Sequence, residues 1–145
     1  MKIYFAGSIR GGREERTAYQ ELIIHLKKFG QVLSEHIGDD KLGINGEKGI
    51  TDTKIFKRDI EWLNQCDLVV AEVTVPSLGV GYELGRAEMM QKPVLCLFNT
   101  TKGARLSAMI SGNAVFRVAV YDHIQAAIEE IERFVHDCAR TCDAL

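Results

Sequence analysis

Glu83 is a residue whose type and position could support chemistry in this 145-residue chain. It stands among the glycines of PSLGVGYELGRA, directly after the apolar run DLVVAEV. On a helix predicted over Val80–Gln91, Glu83 lies in the first turn and on the apolar face, which it shares with Leu84 and Ala87. A carboxylate at that position is either a reacting group or a cap for the unpaired N–H groups of the helix.

Asp59 is a second carboxylate that interrupts an apolar pattern. In a helix predicted over Thr51–Gln65 it lies four residues from both Ile55 and Leu63 and therefore within their stripe. Alone, Asp59 is also explained by an ion pair with a basic residue of a neighbouring element. Two carboxylates in one cleft can be held at different pKa values, one protonated as an acid and one ionised as a nucleophile. Retaining cleavage of a glycosidic bond requires that division.

Alternating apolar and helical segments predict the sheet that must position these carboxylates. The strands are predicted at Ile3–Ala6, Gln31–Ser34, Leu68–Val73, Val94–Phe98 and Phe116–Val120, and the helices at Arg13–Phe29, Thr51–Gln65, Val80–Gln91 and His123–Cys138. Irregular structure is predicted at His36–Ile50 and Asn99–Asn113. The pattern indicates a single α/β domain over residues 1–145, a doubly wound, five-stranded parallel sheet of flavodoxin- or Rossmann-like order 2-1-3-4-5 with helices on both faces.

Two glycine-rich loops are expected to meet at the ligand crevice of such a sheet, which lies at the carboxyl ends of strands one and three. They are GSIRGG, residues 7–12, and TVPSLGVG, residues 74–81. Each contains a serine and leads into a helix, so together they offer N–H groups to one phosphate, with Arg10 as a counter-ion. GSIRGG has neither GxGxxG spacing nor a P-loop lysine, which disfavours a dinucleotide or a nucleoside triphosphate.

Composition and charge narrow the possible partners. A net charge of −2 and a sequence pI near 6.1 disfavour a broad surface for a nucleic acid polymer, so a small ligand is expected. There is no pattern of a signal peptide and no apolar run of membrane-spanning length. The four cysteines include no CxxC, which favours reduced thiols. We expect a cytoplasmic protein without membrane contact, and a nuclear fraction is left open.

Histidine spacing and aromatic spacing point to no further chemistry. Two carboxylates cleave a glycosidic bond without a metal or redox cofactor, so none is expected. In keeping with this, the four histidines show no metal-ligand spacing. Phe56 and Trp62 have the helical spacing of core residues, and no functional role is predicted for them.

Four segments resemble the 2′-deoxynucleoside 5′-monophosphate N-hydrolases of the nucleoside 2-deoxyribosyltransferase-like superfamily: YFAGSIRGG, EHIG, RDIEWLNQCDLVVAEVTVPSLGVGYELGRA and LSAMI. The resemblance implies hydrolysis of an N-glycosidic bond to give a free base and 2-deoxyribose 5-phosphate. It implies Glu83 as the nucleophile, Asp59 as the assisting acid or base, and Tyr4 as a tyrosine near the sugar and the nucleophile. Relatives that act on ribonucleotides tend to carry Phe at the position of Tyr4.

The same resemblance implies the substrate-binding residues. Phosphate positions are matched by Ser8, Arg10, Ser77 and Gly79, the first loop also contributes Gly7 and Ile9, and His36 falls near the base. Ser107 matches a serine that reaches the phosphate of the neighbouring subunit, with Met109 at the same interface, so a homodimer is expected. Two alternatives stay open: a deoxyribosyltransferase that exchanges bases through the same intermediate, and a nucleotide-binding module without catalysis.

Overall fold

The computed structural model describes residues 1–10, 12, 14–39, 42–43 and 46–143, with the side chains of 141–143 left aside. Its strands are β1 (Lys2–Ala6), β2 (Gln31–Val32), β3 (Leu68–Glu72), β4 (Val94–Asn99) and β5 (Arg117–Tyr121), and its helices are α1 (Arg16–Leu26), α2 (Asp52–Gln65), α3 (Leu78–Met89), α4 (Ala108–Ser111) and α5 (Ile124–Asp143). The five strands form one parallel sheet in the order β2-β1-β3-β4-β5. The predicted fold class and strand order are confirmed.

Several predicted boundaries are wrong. The first predicted helix begins at Arg13, which lies outside the described residues, and α1 runs only over Arg16–Leu26. The predicted irregular segments contain short helices: 3₁₀ turns at Glu35–Gly38 and Thr100–Lys102, and α4. Helix α5 continues to Asp143, beyond the predicted end at Cys138. No helix in the described ranges is both long enough and apolar enough to cross a membrane.

The second strand is shorter than predicted because a side chain replaces its last pairs. β2 contains only Gln31 and Val32, and the prediction had extended it to Ser34. The buried Ser34 hydroxyl accepts a hydrogen bond from the Phe5 N–H at 2.8 Å and donates one to the Phe5 carbonyl at 2.6 Å. Ser34 therefore satisfies the backbone groups that a longer strand would have paired.

Alternating side chains of β1 divide the core between the two faces of the sheet. Ile3 and Phe5 pack in a cluster that includes buried residues of α1 and α5. Tyr4 and Ala6 pack in the opposite cluster, which includes Leu63 of α2 and residues of α3. This alternation sets Tyr4 on the same face as the helices that carry Asp59 and Glu83.

Candidate active site

Glu83 is the sixth residue of α3, which begins at Leu78 rather than at the predicted Val80. The Ser77 hydroxyl caps the helix by accepting a hydrogen bond from the Val80 N–H at 3.4 Å. Glu83 therefore lies in the second turn, and its predicted place in the first turn is wrong. This removes the helix-cap interpretation of Glu83, because the unpaired N–H groups belong to the first turn.

Tyr4, on strand β1, forms a hydrogen bond with the carboxylate of Glu83. Its hydroxyl donates a hydrogen bond to Glu83 Oε1 at 2.8 Å, and the tyrosine side chain is buried. Burial raises the pKa of Glu83 to about 7, a rise that the Tyr4 hydrogen bond opposes and the charge of Asp59 reinforces. Burial and the nearby carboxylates raise the pKa of Tyr4 well above its usual range, so the phenol remains a hydrogen-bond donor.

Asp59 is half-buried in α2 and is paired with the preceding residue. Asp59 Oδ1 accepts from Arg58 Nε at 2.9 Å, so the ion pair that the sequence left open as an alternative is present. The pair does not withdraw Asp59 from the crevice, since Asp59 and Glu83 line the same cavity. Burial raises the pKa of Asp59, and the hydrogen bond and charge of Arg58 limit that rise.

The cavity has a volume of about 660 Å³ and lies where the sheet order predicts it, beside the loops that follow β1 and β3. Six of the nine predicted binding residues line it: Gly7, Ile9, Arg10, His36, Ser77 and Gly79. Arg10 forms an ion pair with Asp52, which also lines the cavity, with 2.8 Å between its guanidinium nitrogen and Asp52 Oδ1. The volume is within the range of pockets that bind small organic ligands.

Ser8 differs from the other residues of the first loop, because it is buried and does not line the cavity. Its N–H donates a hydrogen bond to the Tyr19 hydroxyl at 3.1 Å, on the side of the sheet that faces α1. The Ser8 hydroxyl has no hydrogen-bond partner among the described residues. Contact between Ser8 and a phosphate stays a prediction.

Ser107 and Met109 lie at a neighbouring cavity of about 560 Å³, which shares Ser77, Leu78 and other residues of the β3–α3 turn with the first. Ser107 caps α4 by accepting from the Met109 N–H at 3.3 Å, and the Met109 side chain is 83% exposed. Within one chain, neither residue lines the cavity of Glu83.

Phe56 is not the core residue that its spacing predicted. It is 52% exposed, lines the first cavity and contacts Tyr82, with 6.1 Å between ring centroids. Trp62 is partly buried against the core and also supports the site, because the Arg58 guanidinium lies 4.6 Å from its ring centroid.

Sequence reasoning missed Arg58 and Glu47, which both line the cavity. Arg58 donates to both carboxylate oxygens of Glu47, at 2.8 and 2.7 Å. The signal for Arg58 was available in its position directly before Asp59. Glu47 carried no signal, because it lies in an irregular segment where side-chain pairing follows no periodicity.

Glu72, at the end of the apolar run of β3, is a buried carboxylate that the sequence pattern did not indicate. Its side chain is fully buried and accepts from the hydroxyls of Thr74 and Tyr121, the latter at 3.1 Å. Burial raises the pKa of Glu72 to about 7. The Thr74 hydroxyl in turn accepts from the Asn99 N–H at 2.7 Å. These bonds fix the start of the turn that carries Ser77.

Burial also raises the pKa of two cysteine thiols. Cys66 and Cys96 are buried free thiols, with pKa values raised to about 11 and about 12 by desolvation. Among the residues that the structure describes, no group of three or more His, Cys, Asp or Glu side chains is arranged to bind a metal ion.

A doubly wound sheet with two carboxylates lining the crevice beside β1 and β3, one of them bonded to a buried tyrosine, defines this protein as an α/β protein with a site for a small ligand there. The sequence model of the nucleoside 2-deoxyribosyltransferase family matches residues 3–136. The chain belongs to this family.

Similar proteins agree with that membership. The chain is 51% identical over 131 residues to 5-hydroxymethyl-dUMP N-hydrolase of Homo sapiens, covering 89% of this chain and 75% of that protein. It is 52% identical over 133 residues to the protein of the same name from Tetraodon nigroviridis, covering 90% of this chain and 94% of that one. These names support the prediction of a hydrolase.

A solved structure shares the fold at much lower identity. The CMP N-glycosidase BcmB of Clostridium botulinum superposes with a TM-score of 0.66 at 19% identity, covering 91% of this chain and 98% of that one. At this identity the similarity establishes the fold alone.

Proposed function

We propose that this protein hydrolyses the N-glycosidic bond of 2′-deoxynucleoside 5′-monophosphates, with Glu83 as a covalent nucleophile. The observation that carries the proposal is the 2.8 Å hydrogen bond from Tyr4 to Glu83 in a cavity that Asp59 also lines. Binding alone does not call for two carboxylates in one cavity, one of them bonded to a buried tyrosine. The N-hydrolase names of relatives at about half identity support the reaction class.

In the first step, a carboxylate oxygen of Glu83 attacks C1′ while the bond from C1′ to the base nitrogen breaks. The bonding electron pair leaves with the base, and Asp59 donates a proton to it directly or through water. In the second step, Asp59 removes a proton from water, which attacks C1′ and releases Glu83 and 2-deoxyribose 5-phosphate. A 2′-deoxyribosyl centre reacts more readily than a ribosyl centre, because a 2′-hydroxyl would withdraw electrons from the oxocarbenium-like transition state.

The protonation states add a condition to this mechanism. Burial raises the pKa of Glu83 to about 7 and also raises the pKa of Asp59, where the hydrogen bond and charge of Arg58 limit the rise. The reactive form of the pair has Glu83 ionised and Asp59 protonated. Positive charge developing at C1′ favours ionised Glu83 and shifts the pair toward the reactive form.

The substrate test is product analysis by chromatography, beginning with 5-hydroxymethyl-dUMP and the common deoxynucleoside monophosphates. We expect free base and 2-deoxyribose 5-phosphate, poor turnover of unphosphorylated nucleosides, and ribonucleotides that bind mainly as inhibitors. Phosphate preference follows from the loops of Gly7 and Ser77, where each unpaired buried donor costs about 1–3 kcal/mol. Tyr4→Phe is expected to raise the turnover of ribonucleotides relative to deoxyribonucleotides, with Tyr82→Phe as the control.

Two outcomes would contradict the proposal. Transfer of the sugar to an added second base in preference to water would make the protein a deoxyribosyltransferase. Equal efficiency of the parent protein on dGMP and GMP would remove Tyr4 from sugar selection.

A homodimer is the second part of the proposal, with Ser107 contributed to the neighbouring phosphate site. Leu78 is 97% exposed and Met109 is 83% exposed, and both line the cavity that contains Ser107. A two-fold interface would cover this apolar patch on both copies at once.

Sedimentation is expected to give a dimer for the parent protein and a monomer for Met109→Glu. A kinetic assay of base release should give a raised KM for the same variant. Ile24→Glu is the matched control, since Ile24 is an exposed apolar residue of α1 on the other face of the sheet. A fully active parent monomer would refute the contribution of Ser107.

A further inference from the structure

Arg58 is the centre of a cluster that connects the candidate acid to the segment before α2. Its guanidinium donates to Asp59 Oδ1 at 2.9 Å and forms two hydrogen bonds with Glu47, at 2.8 and 2.7 Å. Its face lies over the ring of Trp62, 4.6 Å from the ring centroid, in the geometry of a cation–π contact. The stacking and the paired bonds to Glu47 fix the plane of the guanidinium, which a single bond to Asp59 would not do.

The single positive charge of Arg58 cannot neutralise both carboxylates that it contacts. Arg58 contributes one positive charge to two carboxylates, Glu47 and Asp59, whose side chains are 19% and 21% exposed. Glu47 makes the bidentate pair, and the Arg58 hydrogen bonds lower the pKa of Glu47. Glu47 therefore remains ionised and takes most of the positive charge, which leaves Asp59 less strongly bound to Arg58 in its ionised form.

Other ionisable groups also face Asp59, and among them His36 acts to lower the pKa of Asp59 as Arg58 does. His36 lies 3.1 Å from Glu47 and 3.4 Å from the Arg58 guanidinium, and burial lowers the pKa of His36, which favours the neutral imidazole. The charge of Asp59 raises the pKa of Tyr4, on β1, and of Glu83, on α3. The charge of Asp39 opposes the lowering of the pKa of His36 by burial.

We infer that Glu47 is a positioning residue for Asp59: by holding Arg58 in a bidentate ion pair, it keeps a proton available on Asp59 for the departing base. This inference rests on the proposed N-hydrolase function. Without Glu47, the full charge of Arg58 would act on Asp59. The loss of the negative charge of Glu47 acts in the same direction, so both effects favour ionised Asp59.

The test compares the pH dependence of kcat/KM for Glu47→Gln and Arg58→Gln with that of the parent. The limb that belongs to Asp59 is identified as the one that Asp59→Asn abolishes. In Glu47→Gln this limb should move to lower pH by about 0.5–1 unit, and kcat/KM at the optimum should fall about three- to tenfold. In Arg58→Gln the same limb should move to higher pH, because the rise in the pKa of Asp59 that burial causes is then no longer opposed by Arg58.

Opposite shifts in the two variants distinguish this role from a structural one, which would move both limbs alike or neither. Glu61→Gln makes the same chemical change at an exposed position of α2 and is expected to leave the profile unchanged. Unshifted or equally shifted limbs in Glu47→Gln and Arg58→Gln would overturn the inference while the proposed function stood. A parent protein that releases no base would instead refute the proposed function.

Discussion

Glu83→Gln is expected to abolish hydrolysis, lowering kcat by about 10⁴-fold or more, because a neutral amide replaces the ionised carboxylate that attacks C1′. The variant should still bind deoxynucleoside monophosphate, since the glycine-rich loops are unchanged. Turnover is measured by base release, and binding by calorimetry. Mass spectrometry of the parent protein, quenched during turnover, should show a deoxyribosyl phosphate adduct that the variant lacks.

The same substitution should stabilise the fold at alkaline pH. The pKa of Glu83 rises from an ordinary value of 4.5 to about 7 on folding, so the native state binds the proton more tightly than the unfolded chain. Stability contributed by the protonated group is therefore lost as the pH rises through this interval. Glutamine stays neutral, so the melting temperature of Glu83→Gln should exceed that of the parent at pH 8 and approach it at pH 4.5.

For the activity prediction, wild-type turnover by Glu83→Gln would remove Glu83 from the mechanism.

Asp59→Asn is expected to lower kcat/KM by about 10²- to 10⁴-fold, the usual contribution of general acid catalysis. The loss should be greatest for bases that are poor leaving groups, because these depend most on protonation. One limb of the pH–rate profile should disappear with the titrating group. A series of deoxynucleoside monophosphates with bases of different basicity measures both effects.

Asp122→Asn is the control for that experiment, since Asp122 is an exposed aspartate that follows β5 and pairs with His123. It should leave the profile unchanged. If Asp59→Asn weakened binding but retained both limbs and the same dependence on leaving group, Asp59 would be a substrate-orienting residue and another group would supply the proton.

The sequence predicted the sheet well because the strands of a parallel sheet are apolar along their length. It predicted the end of β2 poorly because the hydroxyl of Ser34 takes the place of backbone pairing, an exchange that hydrophobicity does not record. The sequence pattern also predicted the start of α3 at Val80, after its observed start at Leu78. Leu78, the first residue of that helix, is 97% exposed, so the periodic pattern of buried residues starts only at Val80.

The candidate site was predictable where a charged residue interrupted an apolar pattern. Glu83 and Asp59 were found in this way, and the structure brings both to one cavity. Glu47 was not predictable, because its pair with Arg58 joins an irregular segment to a helix and depends on three-dimensional contact alone. Glu72 also interrupts an apolar run, that of β3, but the run was interpreted only as a buried strand and its carboxylate was not identified.

The hydroxyl of Ser34 also bears on how the sheet edge behaves toward other chains. β2 is the outermost strand on its side, and an edge with free N–H and C=O groups is a template for aggregation by strand addition. Beyond the two residues of β2, the Leu33 N–H bonds the carbonyl of Ile3 at 2.9 Å and Ser34 engages both backbone groups of Phe5. An incoming strand would find these groups of β1 already occupied, so on this side of the sheet only the two-residue β2 presents an edge, and so short a strand is a poor template for strand addition.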